Sequence, residues 1–223
     1  MRSAGDPTVW AATPPNLDAG ELRTPEEIVP PRAGDRISEW RIVDSVLNGS
    51  DAPDLEFDRV LATGAGFSGV RWRGVRIVDT RFERVDLSNA VWSSGRLTRV
   101  RMESSRLTGM SLAEGSLADV RFDECRADLS SWQAASFDRV EFRSTILREA
   151  DFSDATFDRV RFRGCDLRGA RFGGARCRCV DLRGSRIERI QIDRSQAAAF
   201  VVDAAQTVDL ALALGVRVEP LRE

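Results

Sequence analysis

Apolar residues recur along this chain at every fifth position. Stepping by five from Ile37 to Val202, through Ile77, Phe82, Leu87 and Trp92 and later Phe152, Phe157, Phe162 and Leu167, all thirty-four residues are apolar. A second phase lies two residues earlier and is small or aliphatic: Val60, Ala65, Val70 and Val75, then Ala150, Ala155, Val160 and Cys165. Residues two apart on an extended backbone point to the same side, so both phases face inward and the other three positions face water. Across residues 35–202 there are 28 Arg and 26 acidic residues, and only Asp35 falls in an inward phase.

A period of five matches neither a helix nor a continuous strand, so each pentapeptide reads as a short extended edge followed by a turn. A closed coil needs a whole number of edges. Similarity peaks at a spacing of twenty residues: 136–145 (SFDRVEFRST) matches 156–165 (TFDRVRFRGC), and 147–155 (LREADFSDA) matches 167–175 (LRGARFGGA). Four edges therefore make one coil, and Trp72, Trp92 and Trp132 fall in one column. At a strand spacing of ~4.8 Å, about eight and a half coils make a rod roughly 40 Å long.

Residues 150–154 (ADFSD) and 170–174 (ARFGG) show a small residue, a polar residue, a central Phe and two further small or polar residues. This pattern resembles the pentapeptide-repeat family over about three quarters of the chain. The resemblance implies an all-β fold, a right-handed quadrilateral parallel β-helix with a dry core of stacked Leu, Phe and small residues. The position before the central residue, often Asp or Asn in that family, is Arg here at Arg71, Arg76, Arg81, Arg96 and several later coils. Some members of the family imitate the size and charge of duplex DNA. They bind DNA gyrase or related type II topoisomerases, confer resistance to quinolones or other gyrase poisons, and end in a dimerising helix. A DNA mimic is distinctly acidic, whereas this solenoid carries +2 (28 − 26).

The unbroken register makes one domain with two flanks. Residues 1–34 hold six of the eight prolines and no apolar period, and read as a mostly disordered tail. The alternative is a partner-binding arm or a flap over the first coil, anchored by Trp10. The solenoid spans 35–202, and bulky Trp40 and Phe200 stand in the usually small phase at its two ends as end caps. In 203–223, Asp203 is a good N-cap and Gly215 a good C′ residue, which bounds an eleven-residue helix over 204–214. Its apolar residues, among them Val208, Leu210, Ala211, Leu212 and Leu214, wrap more than one face. One face should cover the last coil. A second copy of the chain is the expected cover for the rest, giving a homodimer; folding back of 216–221 is the alternative.

Composition narrows the chemistry. Net charge is −2, and His, Lys and Tyr are absent, which removes the usual general base near neutral pH and the commonest metal ligand. Cys125, Cys165 and Cys177 fall in inward phases and Cys179 faces out, without metal-ligand spacing. Gly64, Gly66, Gly69 and Gly74 read as corner residues and not as a phosphate loop. A non-enzymatic protein without cofactor or metal is expected. No apolar run approaches the ~18 residues of a membrane span, and the N-terminus does not read as a signal peptide, so the expected location is the cytoplasm. Fifteen of the sixteen Phe and Trp residues face inward, which argues against nucleic acid as a partner, because base stacking needs exposed rings.

Function must then lie on outward residues. Successive coils carry Arg81 and Glu83, Arg101 and Glu103, Arg121 and Asp123, then Glu141 and Arg143, and then Arg161 and Arg163. These make two charge ladders on one side of the rod. Either the ladders neutralise each other, at ~0.2–1 kcal/mol per exposed pair, or they form a docking face for a protein partner. Charge also segregates along the rod: 103–158 has twelve acids against six Arg, and 159–189 has ten Arg against three acids.

Overall fold

The computed structural model describes residues 11–219. Twelve strands form one parallel sheet that winds into a solenoid of successive coils. They are β1 (Arg36–Ser38), β2 (Arg41–Val43), β3 (Glu56–Asp58), β4 (Leu61–Thr63), β5 (Arg76–Glu83), β6 (Arg96–Glu103), β7 (Ser116–Asp123), β8 (Ser136–Arg143), β9 (Thr156–Arg163), β10 (Arg176–Cys177), β11 (Val180–Asp181) and β12 (Phe200–Val201). The register is twenty throughout, as in Arg81↔Arg101↔Arg121↔Glu141↔Arg161. Residues five apart lie on successive walls of a square tube, so the four-sided parallel β-helix expected from the sequence is the fold.

The walls are not equivalent. Side A (central residues Ile77, Leu97, Leu117, Phe137) and side B (Phe82, Met102, Phe122, Phe142) share the long strands β5 to β9. Sides C and D pair only through single bridges such as Asp86↔Arg106 and Val91↔Ser111. The reason is local. After sides C and D the chain closes a tight turn, for example Ala90 N–H to Leu87 O (3.1 Å) and Gly95 N–H to Trp92 O (2.9 Å), which leaves little extended backbone.

Every fifth residue from Gly34 to Arg189 has a left-handed backbone, except Cys179, and twenty-one of these residues are not glycine. Left-handed geometry costs an L-residue ~1–2 kcal/mol. Most corners instead gain a bond to the next coil, such as Ser94 N–H to Ala113 O at 2.8 Å. Gly64, Gly69 and Gly74 are corner residues, but Gly66 is not: it lies along side C, where the Asn48 side chain leaves little room for a Cβ.

The core is a set of columns. Trp72 and Trp92 stack on side D with centroids 5.9 Å apart and planes 15° apart. Phe122, Phe142 and Phe162 stack on side B at 4.7 and 4.9 Å. Such offset stacks add to simple burial. In the coils of Val85, Cys125 and Cys165 the chain closes no i to i+3 turn on passing from side B to side C, as it does at Ser185 N–H to Leu182 O (3.1 Å), so the first amide of side C lacks a local acceptor. Buried hydroxyls of the next coil take these protons: Val85 N–H to Ser105 Oγ (3.1 Å), Cys125 N–H to Thr145 Oγ1 (3.4 Å) and Cys165 N–H to Ser185 Oγ (3.0 Å). This satisfies groups that would otherwise be orphaned in a dry core.

The regular winding falters near its far end. Residues 194–199 form a 3-10 segment, so β10 has a strand neighbour on one side only. Cys177 is consequently only half-buried, not a core residue like Cys125 and Cys165. Phe200 is buried and meets Phe172 edge-on at 5.8 Å. The expected eleven-residue helix is a 3-10 turn (Ala204–Gln206) followed by α1 (Thr207–Ala213). Asp203 and Gln206 cap each other reciprocally, and Gln206 Nε2 donates to Leu182 O (2.7 Å) and Ser185 O (2.6 Å). Tying Gln206 to the last coil tightens that first turn. Gly215, at φ +77°, ends the helix in a Schellman motif, with Gly215 N–H on Leu212 O and Val216 N–H on Ala211 O.

At the near end, residues 11–34 differ from the expected disordered tail: they run along the rod and then under its first coil. Arg23 forms a bridge with Trp40, its N–H donating to Glu39 O and its carbonyl accepting from Arg41 N–H, both at 2.8 Å. Ile28 and half-buried Trp40 pack against the end of the core, and Pro31 is buried. Trp10 lies outside the described residues.

Candidate interaction surfaces

The ten charged residues of the proposed docking face all lie on side B, projecting from β5 to β9, because the position before and the position after each central residue both point outward. They are linked diagonally. Arg81 reaches Glu83 of its own coil (2.7 Å) and Glu103 of the next (3.1 Å); Arg101 reaches Glu103 and then Asp123 (3.2 Å); Arg121 holds Asp123 at 2.7 Å. The order then reverses. Arg143 pairs with Glu141 at 2.8 Å, and Glu141 is buried beneath its neighbours. Arg161 is buried as well, and desolvation lowers its pKa, with Arg163 adding to the effect. Arg163 reaches Asp181 only at 3.8 Å.

A second column, at the corner between sides A and B, was not singled out in the sequence. It alternates in sign: Glu39, Arg59, Asp79, Arg99, Asp119, Arg139. Each Arg caps the acid of the coil before it. Arg59 pairs with Glu39; Arg99 binds Asp79 through Nε (2.7 Å) and Nη2 (2.6 Å); Arg139 binds Asp119 through Nε (2.8 Å) and Nη2 (2.7 Å). The guanidinium of Arg99 holds Asp79 below the ordinary carboxylate range, and that of Arg139 holds Asp119 at about 2. The N-terminal strap lies on this column. Thr13 donates its N–H and its hydroxyl to Asp119 Oδ1, both at 3.1 Å, and Asn16 donates its N–H to Asp79 Oδ1 at 2.8 Å. The twenty-residue alternation of sign was the legible signal.

The third surface is the C-terminal helix. Leu210, Ala213 and Leu214 pack against the end of the core, while Val208 and Leu212 are each 53% exposed and Ala211 is half-buried. Val216 and Val218 are themselves exposed and do not cover the helix; the end of the 216–221 segment lies outside the described residues. Among the described residues no group of three His, Cys, Asp or Glu is placed to hold a metal ion. Burial pushes the Cys125 and Cys165 thiols up to about 12, which keeps them protonated.

Models of the pentapeptide repeat region and of pentapeptide repeats match residues 75–152 and residues 135–174 and 162–189. The chain belongs to the pentapeptide-repeat family. Among solved structures it is similar to a trypsin-treated form of QnrB1, a plasmid-mediated fluoroquinolone resistance protein. The TM-score there is 0.52 at 16% identity, over 83% of this chain and 100% of that one. It is also similar to HetL, a pentapeptide repeat protein involved in heterocyst differentiation regulation in Nostoc sp. strain PCC 7120. That match covers 72% of this chain and 85% of HetL, at 18% identity and a TM-score of 0.36. No curated protein sequence matches the chain. Among the described residues no helix is long and apolar enough to cross a membrane.

Proposed function

We propose that this chain is a non-enzymatic interaction scaffold that presents the patterned charge of side B to a protein partner. The observation that carries the reading is a change in the charge pattern along that side. The coils of Arg81, Arg101, Arg121 and Glu141 each place one cation and one anion on side B, whereas the next places both Arg161 and Arg163 there, flanked by Glu141 of the coil before and Asp181 of the coil after. A neutral track with one doubly cationic coil suits a partner with a matching acidic patch, since complementary charge fixes register more than it adds affinity. A pull-down from native extract tests it. Arg163→Glu, and Glu103→Arg with Asp123→Arg, should each lose the partner recovered by the wild type; unchanged recovery by both overturns the reading.

A second reading comes from the likeness to the fluoroquinolone resistance protein. The rod would act as a DNA mimic that binds DNA gyrase or a related topoisomerase and confers antibiotic resistance. The stretch 103–158, with twelve acids against six Arg, supports it over part of the length. Purified protein should then inhibit gyrase supercoiling or rescue gyrase from a quinolone at micromolar concentration, and failure in both arms removes this reading. Exposed Val208, Leu212, Val216 and Val218 support a homodimer in which a second copy covers the helix. Light scattering should give two copies for the wild type and one for Leu212→Glu. We place the protein in the cytoplasm, acting without cofactor or metal.

A further inference from the structure

The corner column and the strap share a measure. Asp79 and Asp119 are two coils apart, which at ~4.8 Å per strand is about 10 Å. Thr13 and Asn16 are three residues apart, which in a polyproline II segment at ~3.1 Å per residue is about 9 Å. Pro14 and Pro15 between them fix that conformation, because proline locks φ and pushes the residue before it to extended geometry. Three residues make one turn of such a helix, so the two amides face the same way and each meets a carboxylate. The acids are held ready: each is fixed from its far side by a two-pronged arginine. Thr13, Pro14 and Asn16 are exposed, while Ala12, Pro15 and Leu17 between and beside them are half-buried.

We propose that this corner is a recognition track for an extended, proline-containing peptide of a partner protein, one presenting amide N–H groups three residues apart, and that residues 13–16 occupy it in cis as a self-ligand. Binding in trans requires the strap to leave. The track is separate from the side-B ladder, so loss of partner recovery by the side-B variants neither supports nor weakens it.

The test uses the full chain with Thr13→Pro and Asn16→Pro together. Proline preserves the extended conformation and removes the two amide donors together with the Thr13 hydroxyl. The probe is a fluorescent synthetic peptide of residues 11–23. The doubly substituted chain should bind it, and the wild type should bind at least ~10-fold more weakly because its own strap competes. Adding Asp79→Ala and Asp119→Ala to the substituted chain, or placing the two prolines in the probe, should each cost at least ~10-fold, as expected for charge-assisted bonds. Equal binding by wild type and substituted chain, no binding by the folded substituted chain, or indifference to either removal overturns the proposal. If the alanine variants do not fold, Asp119→Asn and the amide exchange of Thr13 and Asn16 in the wild type decide it. Exchange as fast as in the free peptide overturns the proposal, and protection that falls at Thr13 alone in Asp119→Asn supports it.

Discussion

Thr13 and Asp119, 106 residues apart in the chain, are joined twice: the amide and the hydroxyl of Thr13 both donate to Oδ1, and Arg139 holds the same carboxylate from the other side. A carboxylate with these donors loses them on protonation. Its folded value, about 2, lies below the ordinary 3.8, with the Arg139 bond as the main cause and burial opposing it. Its contribution is therefore complete above pH 3.8 and is lost as the pH falls through about 2. Asp79 is lowered in the same direction by Arg99. In an NMR titration the Thr13 and Asn16 amides should stay protected at pH 4 and shift only below it; midpoints at the ordinary carboxylate value would show that the strap is not held by these two acids.

Thr145 tests the buried hydroxyl column. It is fully buried, accepts from Cys125 N–H and donates to Arg143 O at 2.9 Å. Thr145→Val keeps the shape but orphans the Cys125 amide, while Arg143 O keeps its bond from Glu124 N–H, and this should cost about 1–3 kcal/mol. Thr145→Ser keeps the hydroxyl and loses one methyl, at ~1 kcal/mol or less; Ser105 and Ser185 already serve in the same column. Denaturant melts in which the valine variant is the more stable of the two would rule out this role.

Two corner glycines separate backbone strain from crowding. Gly69 and Gly174 have nearly equal φ, +65° and +68°, but a Cβ at Gly69 meets nothing within 4 Å, whereas one at Gly174 lies 2.2 Å from Asp154 Oδ1. Gly69→Ala should cost only the left-handed term, ~1 kcal/mol, as many non-glycine corners in this chain already do. Gly174→Ala should cost more, and Asp154→Ala should remove the excess. The double-mutant cycle reads this directly, and strict additivity would mean that the carboxylate swings away freely.

The solenoid was legible because one side chain in five must be apolar to fill a square tube, and Ile37 through Val202 obey that rule without an insertion. The corners were legible only where glycine marked them. Arg59, Arg99 and Arg139 sit in the same left-handed geometry, and nothing in their chemistry announces it; the fold imposes it through bonds between coils. The strap was hidden for a different reason. Its contacts run through backbone amides to acids 63 and 106 residues away, and donors of that kind leave no hydrophobic period. The helix was overestimated because Asp203 was read only as an N-cap, whereas its capping partner Gln206 is also bonded to the coil beneath.

Phe142 and Phe200 should fail differently when truncated. Phe142 is sandwiched between Phe122 and Phe162, while Phe200 meets only Phe172 among the rings of the described residues and lies next to the 3-10 segment at the end of the rod. In a solenoid each coil is stabilised by its nearest neighbours, so a lesion at mid-rod weakens two interfaces and one at the end weakens one. Phe142→Ala should cost about 3–5 kcal/mol. It should also split thermal unfolding into two steps, as the coils on either side lose their coupling. Phe200→Ala should cost less and raise amide exchange only in the last coil and α1. Hydrogen exchange by mass spectrometry distinguishes the two. If Phe142→Ala opens the rod from its ends while the amides of β7 and β9 stay protected, the stacked column does not carry the coupling between coils.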